Sequence, residues 1–245
     1  MRFKLVGWVI WIISTLLAVG IMVLCWFEYN GNWLVWLLVL AIVLSLPVSS
    51  LLHELGHVLF GAFSKIHAKI TLKSIFAFFK PSSCEIIPRT DKRIKKRLIA
   101  TTIGGLAVNL VIIIFGVLAL IVSAIPTYLA IIIPASFYLF VINLVPFETG
   151  NGKTDGLVIT ELLKNEDSAK VMLAVLTVQA QVLNGKPIAE VNEKLLFDLP
   201  QIREDDPAFI SLTELRAEYY AAKGDTEQSN KYRSRFEQLK EDYLS

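Results

Sequence analysis

Three stretches almost free of charge constrain what this chain can fold into more than anything else in it. Residues 5–27 and 33–52 contain no Asp, Glu, Lys, Arg or His, and residues 98–147 contain no Asp, Glu, Lys or Arg. Backbone in hydrocarbon must satisfy its own hydrogen bonds, so runs of this length are expected as helices, and about 20 residues suffice to cross a bilayer. The chain is 54% hydrophobic, above the roughly 45–50% of soluble domains. The excess is not spread evenly, because residues 153–245 are rich in charge and read as soluble protein.

The first run exceeds the about 7–15 apolar residues of a signal peptide, and a second follows almost at once, so it reads as a retained span. The turn signal Asn30-Gly31 separates the two. The second run, Trp33 to about Phe63, contains Pro47 as a kink point. The long third stretch divides near Pro126. The expectation is an all-α polytopic membrane protein with spans at about 5–27, 33–63, 98–123 and 128–147, forming a membrane-embedded domain over 1–156. A small helical cytosolic domain over 157–245 follows it.

Orientation comes from the basic residues. Ten of them lie between 64 and 97, opposed only by Glu85 and Asp91, whereas the loops at 28–32 and 124–127 contain no Lys or Arg. The positive-inside rule places the 64–97 loop in the cytoplasm, with both termini, in a multi-pass protein of the cell membrane. The loop is thereby explained by topology and anionic lipid, and nucleic acid is not an expected partner. Within it, Ile70–Ile75 alternates apolar and polar, followed by Phe76, Phe78 and Phe79. That predicts a short membrane-associated β-hairpin turning at Pro81-Ser82-Ser83. The two cysteines, Cys25 in an apolar run and Cys84 in the loop, read as free thiols.

Near the end of the second run stands His53-Glu54-Leu55-Gly56-His57. On a helix the two imidazoles lie one turn apart on one face, where they can grip one zinc ion, and Glu54 can act as general base toward the water it activates. An acidic residue at mid-span costs about 2.5–3.5 kcal/mol on insertion scales, so a carboxylate at such depth points to a functional site. A hydrolytic zinc takes a third protein ligand. Asp155, Glu148, His67 and Asp91 are the candidates, with Asp155 favoured by its place after the fourth run and before flexible Gly156.

His53–His57 in an apolar run, Gly104-Gly-Leu-Ala-Val-Asn109, and Asn143-Leu-Val-Pro146 followed by Asp155-Gly156 together resemble the site-2 protease family of intramembrane zinc metalloproteases. The resemblance covers roughly residues 33–157 and does not reach the tail. It implies a zinc-dependent endopeptidase cleaving membrane-spanning proteins near the cytoplasmic face. His53, His57 and Asp155 would be ligands, Glu54 the catalytic base, and Asn143 a residue holding extended substrate or the developing oxyanion. A helix-packing role for Asn143 stands beside that one. In one respect the chain departs from the family pattern. The usual aspartate position, eight residues after Asn143, is Asn151-Gly152 here, with Asp155-Gly156 four residues later. A carboxylate is the better zinc ligand, which favours Asp155. Gly104–Asn109 itself reads as a close-packing helix face, with Asn109 able to hydrogen-bond across it.

The tail is punctuated by Asp167-Ser168, Asn184-Gly185, Asp206-Pro207 and Lys223-Gly224-Asp225, which predict helices ending near 184 and spanning 207–223 and 226–243. The last two make a hairpin the length of one tetratricopeptide unit. The rival function is a non-proteolytic zinc-binding membrane scaffold whose tail recruits a cytosolic regulatory partner. Glu54 discriminates, since a structural zinc site has no need of a general base. A transporter is disfavoured, because neither an inverted repeat nor a chain of intramembrane charges is visible.

Overall fold

In a computed structural model of the chain, residues 2–29, 34–70, 84–122, 125, 127–149 and 152–244 are described. They are mostly helical, and they divide into two compact units. The first unit is drawn from the described residues of Met1–Phe60, Ala68–Glu85 and Ala100–Leu157, and the second from Gly61–His67, Ile86–Ile99 and Val158–Ser245.

The first unit is built on α1 (Arg2–Tyr29), most of α2 (Leu34–Phe63), most of α3 (Ile94–Ile121) and α4 (Ile132–Leu144). Glycine decides how closely two of these helices approach. A Cβ on Gly56 of α2 would lie 2.4 Å from the carbonyl oxygen of Gly104 on α3, and the converse distance is also 2.4 Å. The two backbones therefore touch where the Gly104–Asn109 stretch begins, as small residues allow. Ser49 of α2 and Ser136 of α4, both fully buried, share a 3.1 Å hydrogen bond. Ile21 and free Cys25 of α1 pack on Ala130, Ile131 and Ile133.

Among the described residues, α3 is the helix long and apolar enough to cross a membrane, and the apolar segments Ile12–Glu28 and Leu129–Leu144 are shorter. It starts at Ile94, four residues before the expected start, so Lys95, Lys96 and Arg97 lie on its first turn. The fourth run is interrupted: Thr127–Ile131 is a 3-10 turn, and α4 proper has only 13 residues, about 20 Å at 1.5 Å per residue. Its end has a local cause. Val145 precedes Pro146, whose ring disfavours helical backbone in the residue before it, and Val145 is extended at φ −73°, ψ 127°.

The basic loop contains a two-stranded sheet among its described residues. β1 (Ile66–Ile70) pairs with β2 (Cys84–Pro88). Residues 71–75, the aromatic patch at 76, 78 and 79 and the turn at Pro81-Ser82-Ser83 lie outside the described residues. Alternation specifies β1: Ile66 and Ala68 are buried, and His67 and Lys69 are exposed. A second, minimal hairpin, β3 (Glu148–Thr149) against β4 (Gly152–Lys153), pairs Glu148 with Lys153 in antiparallel register.

The second unit contains most of α5 (Asp155–Lys164), followed by α6 (Asp167–Leu183), α7 (Lys194–Phe197), α8 (Pro207–Lys223) and α9 (Thr226–Leu244). Their boundaries follow the capping chemistry. Asp206 accepts from the Ala208 amide with Pro207 at the first helical position, Gly224 closes α8 at φ +81°, and Asp225 accepts from the Gln228 amide ahead of α9. At α6 the cap is Glu166, and Asp167 is the first helical residue. One core joins Ile66, Ile94 and Leu98 to Leu162, Ala169 and Leu176. The other packs Val171, Val178 and Leu196 against Leu212 and Tyr219.

Candidate metal centre

The site lies wholly within the first unit. Helical spacing puts His53 and His57 on one face of α2, with ring centroids 4.7 Å apart and planes at 88°. Both are buried, as is Glu54 between them.

Asp155 reaches them through four local features. Pro146 ends α4, and the β3–β4 hairpin then carries the chain to Thr154. Its hydroxyl lies 2.8 Å from the Val145 carbonyl oxygen and 3.3 Å from the Leu157 amide, so one side chain holds the loop and caps α5. Gly156 removes the last obstacle, because a Cβ there would lie 2.0 Å from the Leu144 carbonyl oxygen. Asp155 is left on the first turn of α5, at the positive end of the helix dipole.

Three ligand atoms converge. Asp155 Oδ2 is 3.2 Å from His53 Nε2 and 3.5 Å from His57 Nε2, and the two Nε2 atoms are 3.1 Å apart. Metal–ligand bonds of about 2.0–2.1 Å in a tetrahedron place ligand atoms about 3.3–3.4 Å from one another. The observed triangle has that size. Its chemistry also asks for a cation. His57 Nδ1 is 2.9 Å from the Thr101 carbonyl oxygen, which can only accept, so Nδ1 carries a proton and, in the neutral ring, Nε2 presents its lone pair toward the cluster. Asp155 Oδ2 is buried without a hydrogen-bond partner. The side facing α3 is kept clear by Gly105, where a Cβ would intrude to 2.6 Å from both His53 Cε1 and His57 Nε2. His53, His57 and Asp155 can therefore hold a metal ion.

The other candidates are not brought to this cluster. His67, Asp91 and Glu148 are exposed and belong to no metal-capable group among the described residues. Asn151 lies outside the described residues. Asn143 is half-buried and donates to the Leu139 carbonyl oxygen of its own helix at 3.0 Å. Sequence reasoning missed two parts of the site. The Thr101 carbonyl has no side-chain signature, and Gly105 was read as a helix-packing residue. Their spacing, with Asn109 one turn further on, was the available signal: 101, 105 and 109 share one face of α3. Comparison with protein-family models, curated proteins and solved structures finds no match to this chain.

Proposed function

We propose that the protein is an intramembrane zinc endopeptidase of the site-2 protease type, cutting membrane-spanning proteins near the cytoplasmic face. The observation that carries this reading is the triangle of two imidazoles and one carboxylate beside buried Glu54, on helices whose outer surfaces are apolar. Phe115, Leu118 and Ile121 of α3, and Val122 just after it, are all more than half exposed. An exposed apolar surface that extensive belongs in lipid. Four spans remain the proposed topology, with α4 and its 3-10 turn as a short last crossing and both termini cytoplasmic.

Depth along α3 fits the chemistry. Thr101 is four residues beyond Arg97, or about 6 Å at 1.5 Å per residue. The basic end belongs at the anionic cytoplasmic surface. Water therefore has a short path to the site, and the cut falls near that face.

An N,N,O donor set that leaves one position open suits a catalytic zinc, and the ion when bound supplies Lewis acidity and acidifies water at neutral pH. His53, His57 and Asp155 hold it. Glu54 takes the proton of the attacking water and returns it to the leaving amine. A substrate helix must unwind to expose its carbonyls, which the lipid otherwise keeps hydrogen-bonded. The substrate is accordingly a single-span segment with weak helix propensity at the cut.

The test compares cells expressing wild type and Glu54→Gln for cleaved single-span proteins in the membrane fraction, with the metal content of both purified proteins measured alongside. Glu54→Gln is expected to keep the metal and lose every wild-type cleavage product. Equal cleavage by both proteins would sink the mechanism.

A further inference from the structure

We propose that Asn109 is a positioning residue for the metal centre, orienting His53 as the Thr101 carbonyl orients His57. The idea rests on the metal-site reading above but does not require that the protein be a protease. Asn109 is fully buried, and its side-chain amide lies 3.0 Å from His53 Nδ1. It stands eight residues beyond Thr101, with Gly105 midway, so one face of α3 offers a carbonyl, a gap and a carboxamide at one-turn intervals. Each imidazole then has Nε2 turned to the metal position and Nδ1 turned to a partner on α3.

The chemistry of the amide makes the assignment specific. As placed, Nδ2 faces His53 Nδ1, while Oδ1 is buried without a hydrogen-bond partner. The amide can turn by 180° in the same space, and the hydrogen-bond network decides which way it points. A histidine that binds metal through Nε2 carries its proton on Nδ1, so in the loaded site Oδ1 accepts from His53. In the metal-free tautomer, with the proton on Nε2, Nδ2 donates to Nδ1 instead. An amide serves both states. A carboxylate serves only the loaded one, and an apolar side chain serves neither. Packing needs none of this: a helix interface in lipid is satisfied by small or apolar residues, whereas a buried amide spent on one imidazole nitrogen has a directional task.

The experiment measures metal affinity by chelator competition and records the absorption spectrum of the cobalt(II)-substituted full-length protein, for wild type, Asn109→Leu, Asn109→Ala, Asn109→Asp and His53→Ala. Outer-shell partners of metal-bound histidines are worth about 10–100-fold in affinity. Asn109→Leu and Asn109→Ala are expected to weaken binding by about that factor and to alter the cobalt spectrum, while Asn109→Asp stays close to wild type. If the leucine variant fails to fold, the alanine variant carries the comparison. Wild-type affinity and spectrum in Asn109→Ala, or an equal loss in Asn109→Asp, would overturn the proposal. His53→Ala separates the levels: undiminished metal binding in that variant removes the metal site and this proposal together, whereas loss there without loss at Asn109→Ala removes this proposal alone.

Discussion

A single methyl group at position 105 would occupy the space where the two imidazoles meet, since a Cβ there falls 2.6 Å from His57 Nε2 and 2.7 Å from His53 Nε2. Gly105→Ala should therefore weaken metal binding at least about tenfold, as disturbing ligand orientation does, and elemental analysis of the purified protein would show it. Gly20→Ala on α1, where a Cβ meets nothing within 4 Å, should leave metal content unchanged. Equal metal in both variants would mean that the histidines have another rotamer available. Residue chemistry made much of this site legible beforehand. The HExxH spacing placed both imidazoles, and the preference for a carboxylate over an amide singled out Asp155, which the fold brings within 3.2 Å of His53. What stayed illegible was carried by groups without side-chain identity. A backbone carbonyl at 101 and a missing methyl at 105 leave no letter that names their task.

Among the elements, the turn from α4 into α5 decides where Asp155 arrives. Thr154→Val removes the hydroxyl that caps α5 and meets the Val145 and Phe147 carbonyls. Loss of such a cap costs about 1 kcal/mol. Metal affinity in a chelator competition should fall with it, because Asp155 begins the helix that loses its anchor. Unchanged affinity would show that Gly156 and the β3–β4 hairpin set the aspartate without help. Elements differed in how clearly the sequence announced them. Asp206-Pro207 and Gly224 fixed α8 through caps that act within one turn, so local reading sufficed. In the fourth apolar run Pro146 announces the end of the helix at Val145, whereas nothing in its hydropathy separates the 3-10 turn Thr127–Ile131 from the α-helix that follows. β1 carries its own alternation, Ile66 and Ala68 buried against exposed His67 and Lys69, just ahead of the stretch from Ile70 whose alternation is the more visible one.

For the molecule as a whole, the second unit carries a pH dependence of its own, away from the candidate metal centre. The Tyr219 hydroxyl donates to Glu193, and that bond, with burial and the carboxylate charge, pushes the phenol from its usual 10 up to about 12. The folded state thus favours the protonated phenol. The resulting stabilisation is fully present below pH 10 and is lost as pH rises from 10 toward 12. Urea denaturation of the full-length protein in detergent should show wild type more stable than Tyr219→Phe at pH 8, with the gap closing by pH 12. A gap constant across that range would remove Glu193 as the cause. The two histidines, finally, are unequally exposed to mutation. His53 leans on a side chain that one nucleotide change can replace, while His57 leans on the Thr101 carbonyl, which every amino acid possesses. Saturation mutagenesis would therefore flag position 109 and pass over the polar partner at 101, although both face an imidazole nitrogen at about hydrogen-bond distance. Genetic tolerance at a position measures whether its contribution is written in the codon, not whether the contribution exists.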